Sequence, residues 1–138
     1  MQTECCLLLP RKLVDQILVH AHQHEDTETC GLISKSGNSP ARYYAVNNIA
    51  ADPSVRFEMD PKEQIAAMKN MRDQGEKLLA IVHSHPASPP VPSAIDIAEI
   101  GYPDAYYIIV SLQSKDAPEI RAYRMVNAVM QPVVLDCK

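Results

Sequence analysis

Two imidazoles, a hydroxyl and a carboxylate crowd into the stretch His83-Ser84-His85-Pro86-Ala87-Ser88-Pro89-Pro90-Val91-Pro92-Ser93-Ala94-Ile95-Asp96, directly after the apolar run Leu78-Leu79-Ala80-Ile81-Val82. If that run is a strand, His83 and His85 leave the pleat on the same side. The proline-rich turn then reverses the chain, and Ser93-Ala94-Ile95-Asp96 reads as the first turn of a helix, where residues three apart share a face. Two histidines and one carboxylate form a common ligand set of catalytic zinc, whose fourth tetrahedral position stays open to water. The residues therefore propose a hydrolytic metal site made of His83, His85 and Asp96. Ser93-x-x-Asp96 is equally a capping box, with a carboxylate at the third helical position and no need of a metal. At this level both readings stand, and they are compatible.

The pattern His-x-His-Pro, the prolines at 89 and 92, and Ser-x-x-Asp resemble the JAMM (MPN+) signature of zinc isopeptidases in the Mov34/MPN/PAD-1 family, in its short prokaryotic form. Further segments resemble that family in the expected order: Glu28-Thr29-Cys30-Gly31-Leu32, Asn47 and Asn48, Arg56 to Pro61, and Tyr106 to Ser111. The likeness thus covers nearly the whole chain. It implies that Zn2+ is held by His83, His85 and Asp96, and that Glu28 passes the water's proton to the departing amine. It also implies that Ser93 donates to the oxyanion. The reaction implied is hydrolysis of the peptide or isopeptide bond after the C-terminal Gly-Gly tail of a ubiquitin-like or sulfur-carrier protein. The chain departs from eukaryotic deubiquitinases in carrying no long insertion between Gly75 and His83 or between Asp96 and Ala105.

Positioning these groups requires a sheet. Pro10 to about His22 has Leu13, Ile17, Leu18 and Ala21 at helical spacing, which predicts an amphipathic helix. Cys30 to Ser34 and Arg42 to Val46 read as a hairpin about the turn Ser36 to Pro40, with Glu28 at its entrance. Arg56 to Met59 is a short extended piece. A second helix is expected from the N-cap Asp60 to Gly75, with Ile65, Ala66, Met68, Met71 and Arg72 on one flank. After the histidine strand and the helix begun at Ser93, Ala105 to Leu112 and Glu119 to Met125 read as strands, and Pro132 to Leu135 as a last edge strand. The expected fold class is α/β (α+β), a central mixed β-sheet flanked by helices over a single domain, 1–138. The resemblance implies the cytidine-deaminase-like MPN/JAMM fold.

Composition narrows the functional classes. The chain has 138 residues, 46% hydrophobic and 22% charged, with a formal net charge of -4 that offers no electrostatic footprint for nucleic acid. Met1 to Pro10 lack a positive n-region and an apolar stretch long enough for a signal peptide or membrane span, so a cytoplasmic protein is expected. Cys5, Cys6, Cys30 and Cys137 show no CxxC spacing and are read as free thiols. Three noncanonical readings compete with the isopeptidase: a noncatalytic MPN scaffold, a zinc-dependent small-molecule amidase, and a zinc deaminase. The last needs a Pro-Cys-x-x-Cys segment that the sequence lacks. A second histidine group, His20, His22 and His24, is read as helix-terminal cations favoured by the macrodipole rather than as ligands. Cys30, close to Glu28, is read as a buried structural thiol.

Overall fold

The computed structural model describes residues 6–137. Their order is β1 (Cys6–Leu9), α1 (Arg11–Gln23), β2 (Cys30–Ser36), β3 (Ser39–Val46), α2 (Pro61–Asp73), β4 (Lys77–His85), α3 (Ala94–Ala98), β5 (Tyr106–Ser111), β6 (Glu119–Val126) and β7 (Val129–Cys137). The strands form one sheet in the order β1-β7-β6-β5-β4-β2-β3. Pairing is parallel between β4 and β5 and between β1 and β7, and antiparallel elsewhere. This is the mixed sheet the sequence predicts, and it curls until its edge strands β1 and β3 approach each other.

Both faces of the central strands are covered, which is why β4 and β5 read as nearly continuous apolar runs rather than as alternations. On one face, Leu13, Val14, Ile17 and Ala21 of α1 pack on Ile33, Ala80, Val82, Ile108 and Val110. On the other, Ala67 and Met71 of α2 pack on Cys30, Leu32, Ile81, Tyr107 and Ile109. Ile81 marks the α2 side of β4, so the two-residue period carries His83 and His85 to that same side.

Local chemistry sets the boundaries. The Asp60 side chain accepts from the Lys62 amide at 3.0 Å with Pro61 in the first turn, as the sequence predicts for the start of α2. Gly75, at φ 71°, ends it, and the Glu76 amide returns to the Met71 carbonyl at 2.7 Å. The flank read from the sequence is partly wrong: Ile65 is 68% exposed, whereas Ala67 and Met71, one turn apart, face the sheet. Two further differences lie at the ends of the chain. Cys6–Leu9 is a strand, and β7 reaches from Val129 to Cys137 between β6 and β1, so β7 is internal and β1 is the edge. A four-residue strand offers too little periodicity to be seen without its partner. Of the four cysteines, Cys6, Cys30 and Cys137 are free, and Cys5 lies outside the described residues.

Gly31 lies where β2 is crossed by a side chain of β3. A Cβ there would stand 2.5 Å from Cε1 and 2.6 Å from the hydroxyl of Tyr43, and 2.6 Å from the Tyr44 carbonyl oxygen. At Gly101 the same atom would meet nothing within 4 Å. Gly31→Ala is therefore expected to cost about 1–3 kcal/mol through overpacking. Urea denaturation of Gly31→Ala and Gly101→Ala side by side measures this, and equal midpoints would contradict it.

Candidate metal centre

The polar cluster on the α2 side of β4 is built from three directions. His83 and His85 end β4 with 2% and 3% of their surfaces exposed. Asp96 comes from the first turn of α3, where it takes part in the capping box read from the sequence. The Ser93 hydroxyl accepts from the Asp96 amide at 3.0 Å, and Asp96 Oδ2 accepts from the Ser93 amide at 2.9 Å. The same Oδ2 lies 3.1 Å from His83 Nε2 and 3.0 Å from His85 Nε2, and the two ring nitrogens are 3.2 Å apart. The cap and the ligand geometry are thus one arrangement, made by one oxygen. Glu28 enters from the residues just before β2, where its amide donates to the Pro53 carbonyl at 2.7 Å.

These atoms suit a cation. His85 Nδ1 lies 2.8 Å from the Pro89 carbonyl oxygen, which can only accept, so Nδ1 carries a proton and Nε2 is the nitrogen that can offer a lone pair once its own proton, shared with Asp96, is released to make room for a cation. The Nε2 atoms of His83 and His85 and a carboxylate oxygen converging on one point are a donor set for a divalent metal ion. Among the described residues this is the one group of three with that geometry. His20, His22 and His24 do not converge: His20 Nδ1 is 2.7 Å from the Tyr43 hydroxyl, and His22 pairs with Glu25.

The electrostatics follow from burial. Burial pulls the His83 imidazole below its ordinary value, against the opposing pull of Asp96. Burial also acts downward on His85, but its hydrogen bonds to Asp96 and to the Pro89 carbonyl outweigh it and leave the group above the usual range. Asp96 resists burial through both histidines and stays well below the usual carboxylate range. For Glu28 burial wins. Its carboxyl is pushed up to about 8, with His85 opposing and Asp96 adding to the rise. Its Oε1 is buried and finds no hydrogen-bond partner among the described residues.

Residues 10–126 match the family described as prokaryotic homologs of the JAB domain. The chain belongs to this prokaryotic JAB family. Among its relatives, a desampylase of Haloferax volcanii is 36% identical over 105 residues, covering 70% of this chain and 74% of the relative. A CysO-cysteine peptidase of Mycobacterium tuberculosis is 29% identical over 126 residues, covering 90% and 86%. The solution structure of a protein from Desulfitobacterium hafniense superposes with a TM-score of 0.84 at 33% identity, over 95% of this chain and 92% of that one. A JAB1/MPN domain protein from Archaeoglobus fulgidus, at 20% identity, TM-score 0.58 and coverage of 100% and 99%, shares the fold.

In this JAB chain the groups that hold the site in place are mostly ones the sequence left without a role. The Ser84 hydroxyl, pointing away from the histidines, accepts from the Thr29 amide at 2.8 Å and hydroxyl at 2.9 Å, tying the Glu28 segment to β4. Asn48 Nδ2 donates to the carbonyls of Glu28 (2.9 Å) and Arg56 (3.0 Å), while its Oδ1 accepts from the amides of Ala50 and Glu58. The proline loop has few amides to offer and is fastened by its carbonyls. Ser111 donates to Ser88 at 2.6 Å and the Tyr123 hydroxyl to Pro90 at 2.6 Å. The Phe57 ring stacks on His83 with centroids 4.7 Å apart. Thr29, Asn48, Phe57 and Ser111 fall in the segments that resemble the family, whereas Ser84 and Tyr123 have no part in that likeness.

Two expectations follow. A carboxyl raised above its unfolded value stays protonated in the folded chain while the unfolded chain ionises, so its contribution to stability falls as pH rises from about 4.5 toward 8. In chelator-treated protein, the stability of wild type relative to Glu28→Gln should decline over that window by about 1–2 kcal/mol after allowance for solvent screening. A pH-independent difference in denaturant midpoints would count against it. Burial also pushes the Cys30 thiol up to about 12, and its Sγ donates to the Val46 carbonyl at 3.4 Å. Iodoacetamide at pH 8 should therefore modify exposed Cys6 and Cys137 while leaving Cys30 unlabelled in the native protein, as read by peptide mass mapping.

Proposed function

We propose that this chain is a zinc-dependent metallopeptidase and isopeptidase that hydrolyses the bond after the C-terminal Gly-Gly tail of a ubiquitin-like or sulfur-carrier protein. The convergence of His83 Nε2, His85 Nε2 and Asp96 Oδ2 beside a buried, unpartnered carboxyl of Glu28 carries this reading. The relatives named CysO-cysteine peptidase and desampylase support it. Zinc, when bound, supplies a Lewis acid and lowers the pKa of water to about 7.

The roles of the side chains follow from their chemistry. Glu28, as a carboxylate, accepts a proton from the attacking water and returns it to the departing amine, so that the C–N bond breaks and a neutral amine leaves. Glu28 would be held in that ionised form by a cation among His83, His85 and Asp96, which would offset the burial that otherwise keeps it protonated. The Ser93 hydroxyl uses its oxygen as the helix cap, which leaves its proton free to donate to the carbonyl oxygen as negative charge grows there. Asp96, tied to the Ser93 amide, keeps that hydroxyl and the histidines in one frame.

The test is a purified, zinc-loaded protein given a carrier-Gly-Gly fusion. Zinc near one per chain and cleavage after the second glycine are expected. Glu28→Ala should retain zinc yet lose about 10²-fold or more in rate. Ser93→Ala should also lose about 10²-fold, with about 1 kcal/mol of stability from the lost cap. His83→Ala and Asp96→Ala should lose the metal itself. Hydrolysis of small amides alone would transfer the assignment to an amidase, and a loaded but inert protein would point to a scaffold.

A further inference from the structure

Beside the ligand set opens a cavity of about 390 Å³, at the lower end of the ~300–1,000 Å³ range of small-ligand pockets. His83 and Asp96 form one wall, so an occupant sits next to the reacting groups of the proposed function. Phe57, Met59, Ile81, Ile109, Tyr102 and Met130 supply most of the rest. The polar atoms of this lining are largely occupied by one another. Gln64 Nε2 donates to the Tyr102 hydroxyl at 2.8 Å, and the Tyr107 hydroxyl donates to the Tyr102 carbonyl at 3.0 Å and accepts from its amide at 3.1 Å. Apart from His83, Asp96 and two glutamates, the lining is therefore mainly ring and hydrocarbon. The carboxylates that line it, Glu58 and Glu99, add negative charge, and Glu99 is joined across the loop to Arg56 by an ion pair.

We infer that this cavity receives the side chain of the residue on the amine side of the scissile bond, and that it selects a large apolar one. The inference rests on the Gly-Gly reading above. Two glycines carry no side chain with which to fill a cavity beside the reacting carbonyl, so the side chain nearest to that carbonyl is the one of the first residue on the amine side, and the cavity, bordered by His83 and Asp96, lies within its reach. An acidic residue is disfavoured twice, by desolvation against an apolar wall and by the Glu58 carboxylate. A phenylalanine, methionine or leucine gains the burial of its apolar surface with no polar group stranded. The arrangement acts on specificity rather than on the chemistry, since apart from the ligands His83 and Asp96 the lining residues have no role in the proposed reaction.

The experiment uses the full chain and a set of carrier-Gly-Gly-X fusions with X = Phe, Met, Leu, Gly and Asp. The expected order of kcat/KM places Phe, Met and Leu at least ~10-fold above Gly, and Asp below Gly. Gly101 lines the cavity and a Cβ there meets nothing within 4 Å, so Gly101→Leu is tolerated at its rim and should narrow it, compressing the Phe-to-Gly ratio toward one. Leucinamide, the product-like amine, should shift the methyl resonances of Ile81, Ile109 and Met130 in metal-free wild-type protein, and shift them less in Gly101→Leu. Equal rates for every X overturn the inference while leaving the carrier reading intact. Absence of cleavage for all five overturns the carrier reading instead; unmoved methyl resonances then overturn the cavity assignment, and specific shifts uphold it.

Discussion

A single carboxylate oxygen joins the parts of this site. Asp96 Oδ2 accepts the Ser93 amide that begins α3 and at the same time stands within 3.1 Å of the Nε2 atoms of His83 and His85. A carboxylate can face several partners because it has about four lone-pair directions. The consequence is that α3 cannot rotate or slide on the sheet without losing either its own cap or the contact with β4. A helix of five residues has little stability of its own, since one turn fixes many dihedrals for few hydrogen bonds. Its position is imposed by this oxygen and by the proline loop, whose carbonyls are held from β5 and β6.

The site is also expensive. Glu28 and His83 are buried with polar atoms that lack partners among the described residues, and each such atom costs on the order of 1–3 kcal/mol when left unsatisfied. A sheet covered on both faces by apolar side chains can carry that cost. Glu28 and His83 lie at the end of β4 where the donors converge, and the third such atom, Arg56 Nε, is on the segment that carries Phe57 against His83, whereas Ser34 and Ser84, also buried on the sheet, are hydrogen-bonded. Buried polar groups held at one place by apolar surroundings are a feature of a preorganised binding site. The Phe57 ring adds to this by shielding one face of His83 and fixing the imidazole plane.

Much of this could be read in the sequence because it depends on short spacings. The two-residue interval between His83 and His85, and the three-residue interval between Ser93 and Asp96, are periods of strand and helix and survive almost any tertiary context. The hairpin, α2 and the strands around Tyr107 and Ala122 were legible for the same reason. What could not be read depends on register between distant strands. Thr29 meets Ser84 across 55 residues, and the Tyr123 hydroxyl reaches Pro90 across 33, and no periodicity announces either. Ile65 faces solvent although its type suggests the sheet, because an apolar residue on a thirteen-residue helix with a shallow stripe does not say which neighbour faces inward. β1 was missed because it exists only through its parallel pairing with the end of β7.

Register is also what couples Glu28 to the histidines. Cys30 pairs with His83 across β2 and β4, so Glu28, two residues earlier, lies beyond the end of the ladder on the side toward His85. A slip of one residue between these strands would turn every side chain of β2 to the opposite face. Gly31, on which Tyr43 lies, and Thr29, bonded to Ser84, flank the Cys30 pairing and hold it from both sides. Ser84 performs this task because the pleat turns it away from His83 and His85: the alternation that sends two imidazoles to the α2 face sends the hydroxyl between them to the other. One strand of nine residues thus positions the ligand pair with its odd positions and, with the even one between them, fixes the segment that delivers the acid.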